Sequence, residues 1–106
     1  MTKAKQGKYL IIWEFKVRKG AAQHFRRAYG NKGDWAKFFH QGRGYLRTEL
    51  FRDLGQPRRF FTLDIWASKA DYIRFRRKFR AHYEAIDQRC EKLTEYEAKI
   101  GEFELV

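Results

Sequence analysis

Asp64 is the side chain best placed to do chemistry in this sequence. It stands in the apolar run Phe60-Phe61-Thr62-Leu63-Asp64-Ile65-Trp66, where a period of two sets Thr62, Asp64 and Trp66 on one face of a strand. A carboxylate sharing a face with a hydroxyl and an indole hints at a polar pocket, and a carboxyl drawn out of water is a candidate general base. Glu14 has a comparable place beside Trp13 in the apolar run that begins at Tyr9. Mid-strand charges are costly, so pairing of either acid with a nearby arginine such as Arg47 is the alternative to base chemistry. A different chemistry is suggested by Arg74-Phe75-Arg76-Arg77-Lys78-Phe79-Arg80. On a helix its two rings point inward and its five cations form a solvated ridge able to hold phosphates, with binding that ignores sequence and falls steeply with salt. Gly30-Asn31-Lys32-Gly33 resembles the backbone-clamping loop of KH domains, but capping of two short helices is the preferred explanation, since Asp34 puts a negative charge directly after the loop. His24, His40 and His82 are too scattered to form a ligand set, no HxH, HxxxH or CxxC spacing occurs, and no structural metal is expected.

The chain that must position these groups has 106 residues and a formal charge of +11, from 24 Lys and Arg against 13 Asp and Glu. That length supports one core, read as a flexible polar segment over residues 1–8 followed by a single domain over 9–106. Five acids concentrate in residues 91–106, so the rest of the chain is more basic than the total and should attract anions. Cys90 is the only cysteine and lies in an apolar helical stripe, which suits a buried thiol in a reducing compartment. No apolar run approaches a membrane span, and a cytoplasmic protein is expected.

Residues 9–18 alternate as a first strand. Ala22, Phe25 and Tyr29 mark a helix over 21–29 that Gly30 would cap, and Asp34 reads as the N-cap of a short helix bearing Trp35, Phe38 and Phe39. Residues 45–53 and 59–67 read as an antiparallel hairpin across a turn with Gly55 and Pro57. Ser68 caps a long helical stretch whose apolar stripe runs from Tyr72 to Leu93, with a bend expected near Ala81 to Tyr83, and residues 100–106 read as a last strand. Strand, helix, strand, strand, helix, strand is the ferredoxin-like split β-α-β order of an α+β domain with an antiparallel sheet. Its strands carry large apolar side chains on both faces, more than the helices could cover, which predicts a homodimer joined through the sheet faces.

The opening strand ending Phe15-Lys16-Val17-Arg18-Lys19-Gly20, the Gly44-Tyr45-Leu46 entry to strand two, and Asp64-Ile65-Trp66-Ala67-Ser68 leading into Tyr72 resemble the antibiotic biosynthesis monooxygenase-like family of dimeric α+β barrels. The resemblance implies oxidation of a phenolic, quinol-type or other small aromatic metabolite by oxygen without a cofactor. Such a reaction asks the protein to bind the ring, favour its anion and admit oxygen. In that frame Trp66, Tyr72 and Trp13 would form an aromatic wall, Asp64 and Glu14 would supply a base, and Arg80 or His82 would stabilise the anion. The predicted catalytic residues are therefore Trp66, Asp64 and His82, and the predicted substrate contacts are Trp13, Glu14, Tyr72 and Arg80. The haem-degrading branch of the family joins an Asn on strand one and a His on the following helix to a Trp placed like Trp66. Here strand one has no Asn and the nearest His is His82, which disfavours that branch. The alternative to an enzyme is a module that binds an anion or nucleic acid through the basic helix at 69–80.

Overall fold

The computed structural model describes residues 8–106, so the segment expected to be flexible lies, apart from Lys8, outside the described residues. The elements run β1 (Tyr9–Val17), α1 (Ala22–Tyr29), α2 (Asp34–Phe39), β2 (Tyr45–Arg52), β3 (Arg59–Trp66), α3 (Lys69–Lys78), α4 (Arg80–Cys90) and β4 (Thr94–Glu104). One sheet in the order β2-β3-β1-β4, every pair antiparallel, gives the ferredoxin-like arrangement expected from the element order. No helix among the described residues is long and apolar enough to cross a membrane.

Alternation sends Tyr9, Ile11, Phe15 and Val17 of β1, and Phe60, Thr62, Asp64 and Trp66 of β3, under the helices, where all are buried. The core they build is mostly aromatic. Phe25 stacks on Tyr29 with centroids 4.4 Å apart, Trp35 meets Tyr83 edge-on at 5.0 Å, and Phe38 meets Phe75 at 4.8 Å. Rings of this size each remove roughly 150–250 Å² from water, so their packing dominates the stability of so small a sheet. On the opposite face Leu10, Ile12, Phe61, Leu63 and Ile65 are only partly covered, and Phe51 and Phe103 stay about half exposed (50% and 46%).

Several local expectations are corrected. The long helix breaks at Phe79, where the backbone turns to φ −110°, ψ 32°, two residues before the expected bend. The break lets Phe75 pack on Trp66 while Tyr83 packs on Trp35, two targets that one straight helix does not serve. Helix α4 ends at Cys90 and a 3-10 turn spans Glu91–Leu93, so Leu93 closes no further helical turn. β4 begins at Thr94 rather than residue 100. Two register shifts against β1 break its period of two, which hid its first half. The N-cap of α2 is Gly33, with Asp34 already helical and making no capping bond. Gly33 is buried, and a Cβ there would meet the carbonyl oxygens of Arg27 and Ala28 at 2.5 and 2.7 Å. The glycine thus serves close backbone approach at the α1–α2 corner. Ser68 caps α3 as expected, accepting from the Asp71 N–H at 3.1 Å.

Candidate functional site

Between the sheet and the helices lies a cleft whose floor is Trp13 and Phe15 of β1, Thr48 of β2, and Thr62 and Asp64 of β3. Its roof and rim are Tyr29, Trp35 and Phe39 of α1 and α2, Tyr83 and Asp87 of α4, and Glu97 of β4. The free space is about 400 Å³ with its open side included, but the centre of a water molecule can move through only about 30 Å³ of it. That inner volume suits about two waters.

Asp64 is 9% exposed and sits where the β1 and β3 registers set it opposite Ile11. Burial raises its carboxyl from 3.8 to about 6, partly opposed by a 2.7 Å hydrogen bond that Thr48 Oγ1 donates to Oδ1. A hydroxyl has a single proton, so in the 2.7 Å contact between Thr48 and Tyr45 the phenol must be the donor. The result is a directed chain, Tyr45 to Thr48 to Asp64, that leaves the second carboxylate oxygen without a hydrogen bond among the described residues. At pH 7 this is an ionised carboxylate only weakly held by the protein, which is what proton abstraction requires. At the rim burial and the neighbouring Glu91 raise the carboxyl of Asp87, partly opposed by the charge of Arg76. Burial, Asp87 and Glu91 act likewise on Glu97, although water at its exposed side screens the effect. Tyr83 is held neutral chiefly by burial, and the Arg76 guanidinium lies 3.7 Å above its ring while donating to Tyr72 Oη at 2.8 Å.

The sequence pattern described as antibiotic biosynthesis monooxygenase matches residues 8–89. The chain belongs to that family. No curated protein matches the sequence. Among solved structures, a mutant of SnoaB, a cofactor-independent oxygenase from Streptomyces nogalater, is 20% identical over 92% of this chain and 91% of its own, with a TM-score of 0.64. A conserved protein from Methanosarcina mazei Go1 is 12% identical over the whole of both chains with a TM-score of 0.73. A protein from Pseudomonas aeruginosa is 14% identical over 96% of this chain and 97% of its own, with a TM-score of 0.68. At these identities the structural likeness speaks for the shared fold.

Within this antibiotic biosynthesis monooxygenase-family cleft, the structure brings together only Asp64 and Trp13 of the predicted catalytic and substrate-contact residues, with Thr62 beside Asp64 as the strand pattern suggested. Trp66 has no exposed surface and is packed among Phe39, Tyr45, Tyr72 and Phe75, its Nε1 without a partner among the described residues. Tyr72 lies behind the cleft wall, between Trp66, Tyr9 and Arg76. Glu14 faces the other side of the sheet and pairs with Arg59 at 2.7 Å, not with Arg47. Arg80 is exposed with Glu84 3.7 Å away, and exposed His82 rests on the Phe38 ring, 4.5 Å between centroids. Sequence reasoning missed Thr48, Tyr83, Asp87 and Glu97. Thr48 was within reach, since counting back from the hairpin turn sets it opposite Asp64. The other three arrive from elements remote in sequence and carried no local signal. Among the described residues no group of His, Cys, Asp and Glu is arranged to hold a metal ion.

Proposed function

We propose that this chain is a cofactor-independent monooxygenase acting on a small aromatic metabolite of phenolic or quinol type, with Asp64 as its general base. The observation that carries this reading is the buried Asp64 carboxylate, hydrogen-bonded through one oxygen only and facing an aromatic cleft. Asp64 takes the phenolic or benzylic proton, and the resulting electron-rich anion reduces oxygen itself. One oxygen atom enters the ring system as a carbonyl, the other leaves as water, and the substrate supplies all the electrons. Tyr45 and Thr48 orient the carboxylate, and Trp13, Trp35 and Tyr83 flank the ring. The test is oxygen uptake with an anthrone and a hydroquinone, corrected for autoxidation, on the wild type and Asp64→Asn. Uptake that depends on Asp64 is expected. Its absence from the wild type, or equal rates in both proteins, overturns the assignment.

The working unit in this reading is a homodimer. Support comes from the apolar open face of the sheet, where Leu10, Ile12, Leu63, Ile65 and Phe103 have no covering layer within the described chain. The second reading, an anion- or nucleic-acid-binding module on the basic helix at 69–80, is favoured by Arg77 and Lys78, which are exposed and have no acidic partner among the described residues. Against it, Arg74 is paired with Asp71 and Arg76 is held on two tyrosines. Titration with single-stranded RNA and DNA at two salt concentrations separates the readings: salt-labile binding without oxygen uptake favours the module.

A further inference from the structure

Resting on the reading of Asp64 as the base, we propose that Thr48 and Tyr45 form a proton relay that connects Asp64 to bulk water while substrate fills the cleft. A base buried beneath its substrate needs such an exit. Asp64 is 9% exposed, and the inner cleft lets the centre of a water molecule move through only about 30 Å³, space that a bound ring would take. A second way out runs across the sheet. Thr48 Oγ1, on a residue only 3% exposed, lies 2.7 Å from Asp64 Oδ1, and Tyr45 Oη lies 2.7 Å from Thr48 Oγ1. Tyr45 lines no part of the cleft. It stands on the edge strand β2 among Phe39, Trp66 and exposed His40, and it keeps part of its surface in water. Its hydroxyl bonds no other group among the described residues, which leaves water as its remaining partner.

Both groups between Asp64 and water are hydroxyls, and a hydroxyl can accept one proton while it gives up another. Asp64 takes the substrate proton on Oδ2, the oxygen without a hydrogen bond, and a half-turn of the carboxyl brings that O–H to Thr48. With both hydroxyls rotated outward, Asp64 donates to Thr48, Thr48 to Tyr45 and Tyr45 to water. Three hops then form O–H bonds at Thr48, Tyr45 and water as they break at Asp64, Thr48 and Tyr45. One proton has entered, one has left, no electron has moved, and both hydroxyl protons now point inward. That is the order of donors in the resting protein, Tyr45 to Thr48 to Asp64. The resting chain is therefore the discharged relay, with Asp64 ionised and ready for the next proton. Over a whole turnover the substrate gives up two protons and the departing water takes two, so the relay carries as many inward as outward.

The test is hydrogen exchange on the substrate in the absence of oxygen. Anthrone is incubated with the full chain in anaerobic D2O, and loss of its benzylic protons is followed by NMR and corrected for the rate in buffer alone. Asp64 takes and returns the same hydrogen until it has exchanged with solvent, so deuterium enters anthrone only as fast as the relay works. Oxygen uptake by the same proteins in air measures proton abstraction itself. Tyr45→Phe, which keeps the ring, and Thr48→Val are each expected to lower exchange relative to uptake by about tenfold or more, and Thr48→Ser, which keeps the hydroxyl, to retain most of it. Circular dichroism checks that each variant is folded. A merely orienting role for Tyr45 and Thr48 would slow exchange and uptake together, and an unchanged ratio in Tyr45→Phe or a Thr48→Ser as impaired as Thr48→Val overturns the relay. The two readings fail differently. Uptake with an unchanged ratio removes only the relay, exchange that needs Asp64 and Tyr45 without any uptake removes only the oxygenase, and a wild type that accelerates neither removes Asp64 as the base and the relay with it.

Discussion

Replacing Asp64 by asparagine should make the protein more stable at neutral pH, even as it removes the proposed base. The folded protein holds the Asp64 proton more tightly than the unfolded chain does, with its carboxyl raised from 3.8 to about 6 by burial. Stability therefore falls as pH rises through that window, and above it the full cost of an ionised buried carboxylate is present. At about 1.4 kcal/mol per pH unit the cost is roughly 3 kcal/mol. Asparagine never ionises, and its side-chain oxygen can still accept from Thr48 as Asp64 Oδ1 does at 2.7 Å. Urea denaturation of both proteins at equal concentration, at pH 7.5 and at pH 4, measures the difference. At pH 7.5 the variant's midpoint should lie about 1–3 M higher for a protein of this size. At pH 4 most of that gain should vanish, because Asp64 is by then largely protonated. A variant no more stable than the wild type at pH 7.5, or a gain of the same size at both pH values, would refute the burial argument and with it the reason for choosing Asp64 as the base.

Other outcomes follow from particular contacts. Light scattering should give twice the 12.9 kDa chain mass for the wild type, and Ile12→Lys with Leu63→Lys, on the open sheet face, should yield a folded monomer; a wild-type monomer would remove the dimer proposal. Gly33→Ala should cost about 1–3 kcal/mol in urea unfolding, because its Cβ meets fixed backbone carbonyls of α1, and a neutral change would show that the corner can open. Ser68→Ala should lose about 1 kcal/mol through the missing α3 cap, and Ser68→Asp should recover most of it. Trp66→Ala should cost about 3–5 kcal/mol as a core truncation, whereas Trp66→Phe should keep oxygen uptake if Trp66 supports the cleft without lining it.

What could be read from the chain followed from local periodicity. Alternation in residues 9–17 and 59–66, the hairpin turn between β2 and β3, and the Ser68 cap each depend on neighbours in sequence, and the order of elements then admits one familiar sheet topology. Asp64 was legible for the same reason, as a charge at an inward position of an apolar strand. The first half of β4 was not, because register shifts on an edge strand erase the period of two, and the helix break at Phe79 was not, because it answers to two distant aromatic targets.

The family resemblance pointed to Trp66, and with it Glu14, Arg80 and His82, as members of a site, and none of the four lines the cleft. A strand position gives only the face a side chain takes, and Glu14 takes the face away from the cleft, where Arg59 neutralises it. Trp66 has the right face but lies where α2 and α3 close over the end of the sheet, so rings occupy the space a ligand would need. Sequence by itself determined the split β-α-β order, the two apolar sheet faces and one buried acid, since each is a property of residues close along the chain. Only the tertiary structure decided that this acid opens onto a cleft that Asp87 and Glu97 also line, with no Lys, Arg or His among its walls in the described residues. The sign of a pocket's field is the sum over groups from β3, β4 and α4, which meet nowhere in the sequence.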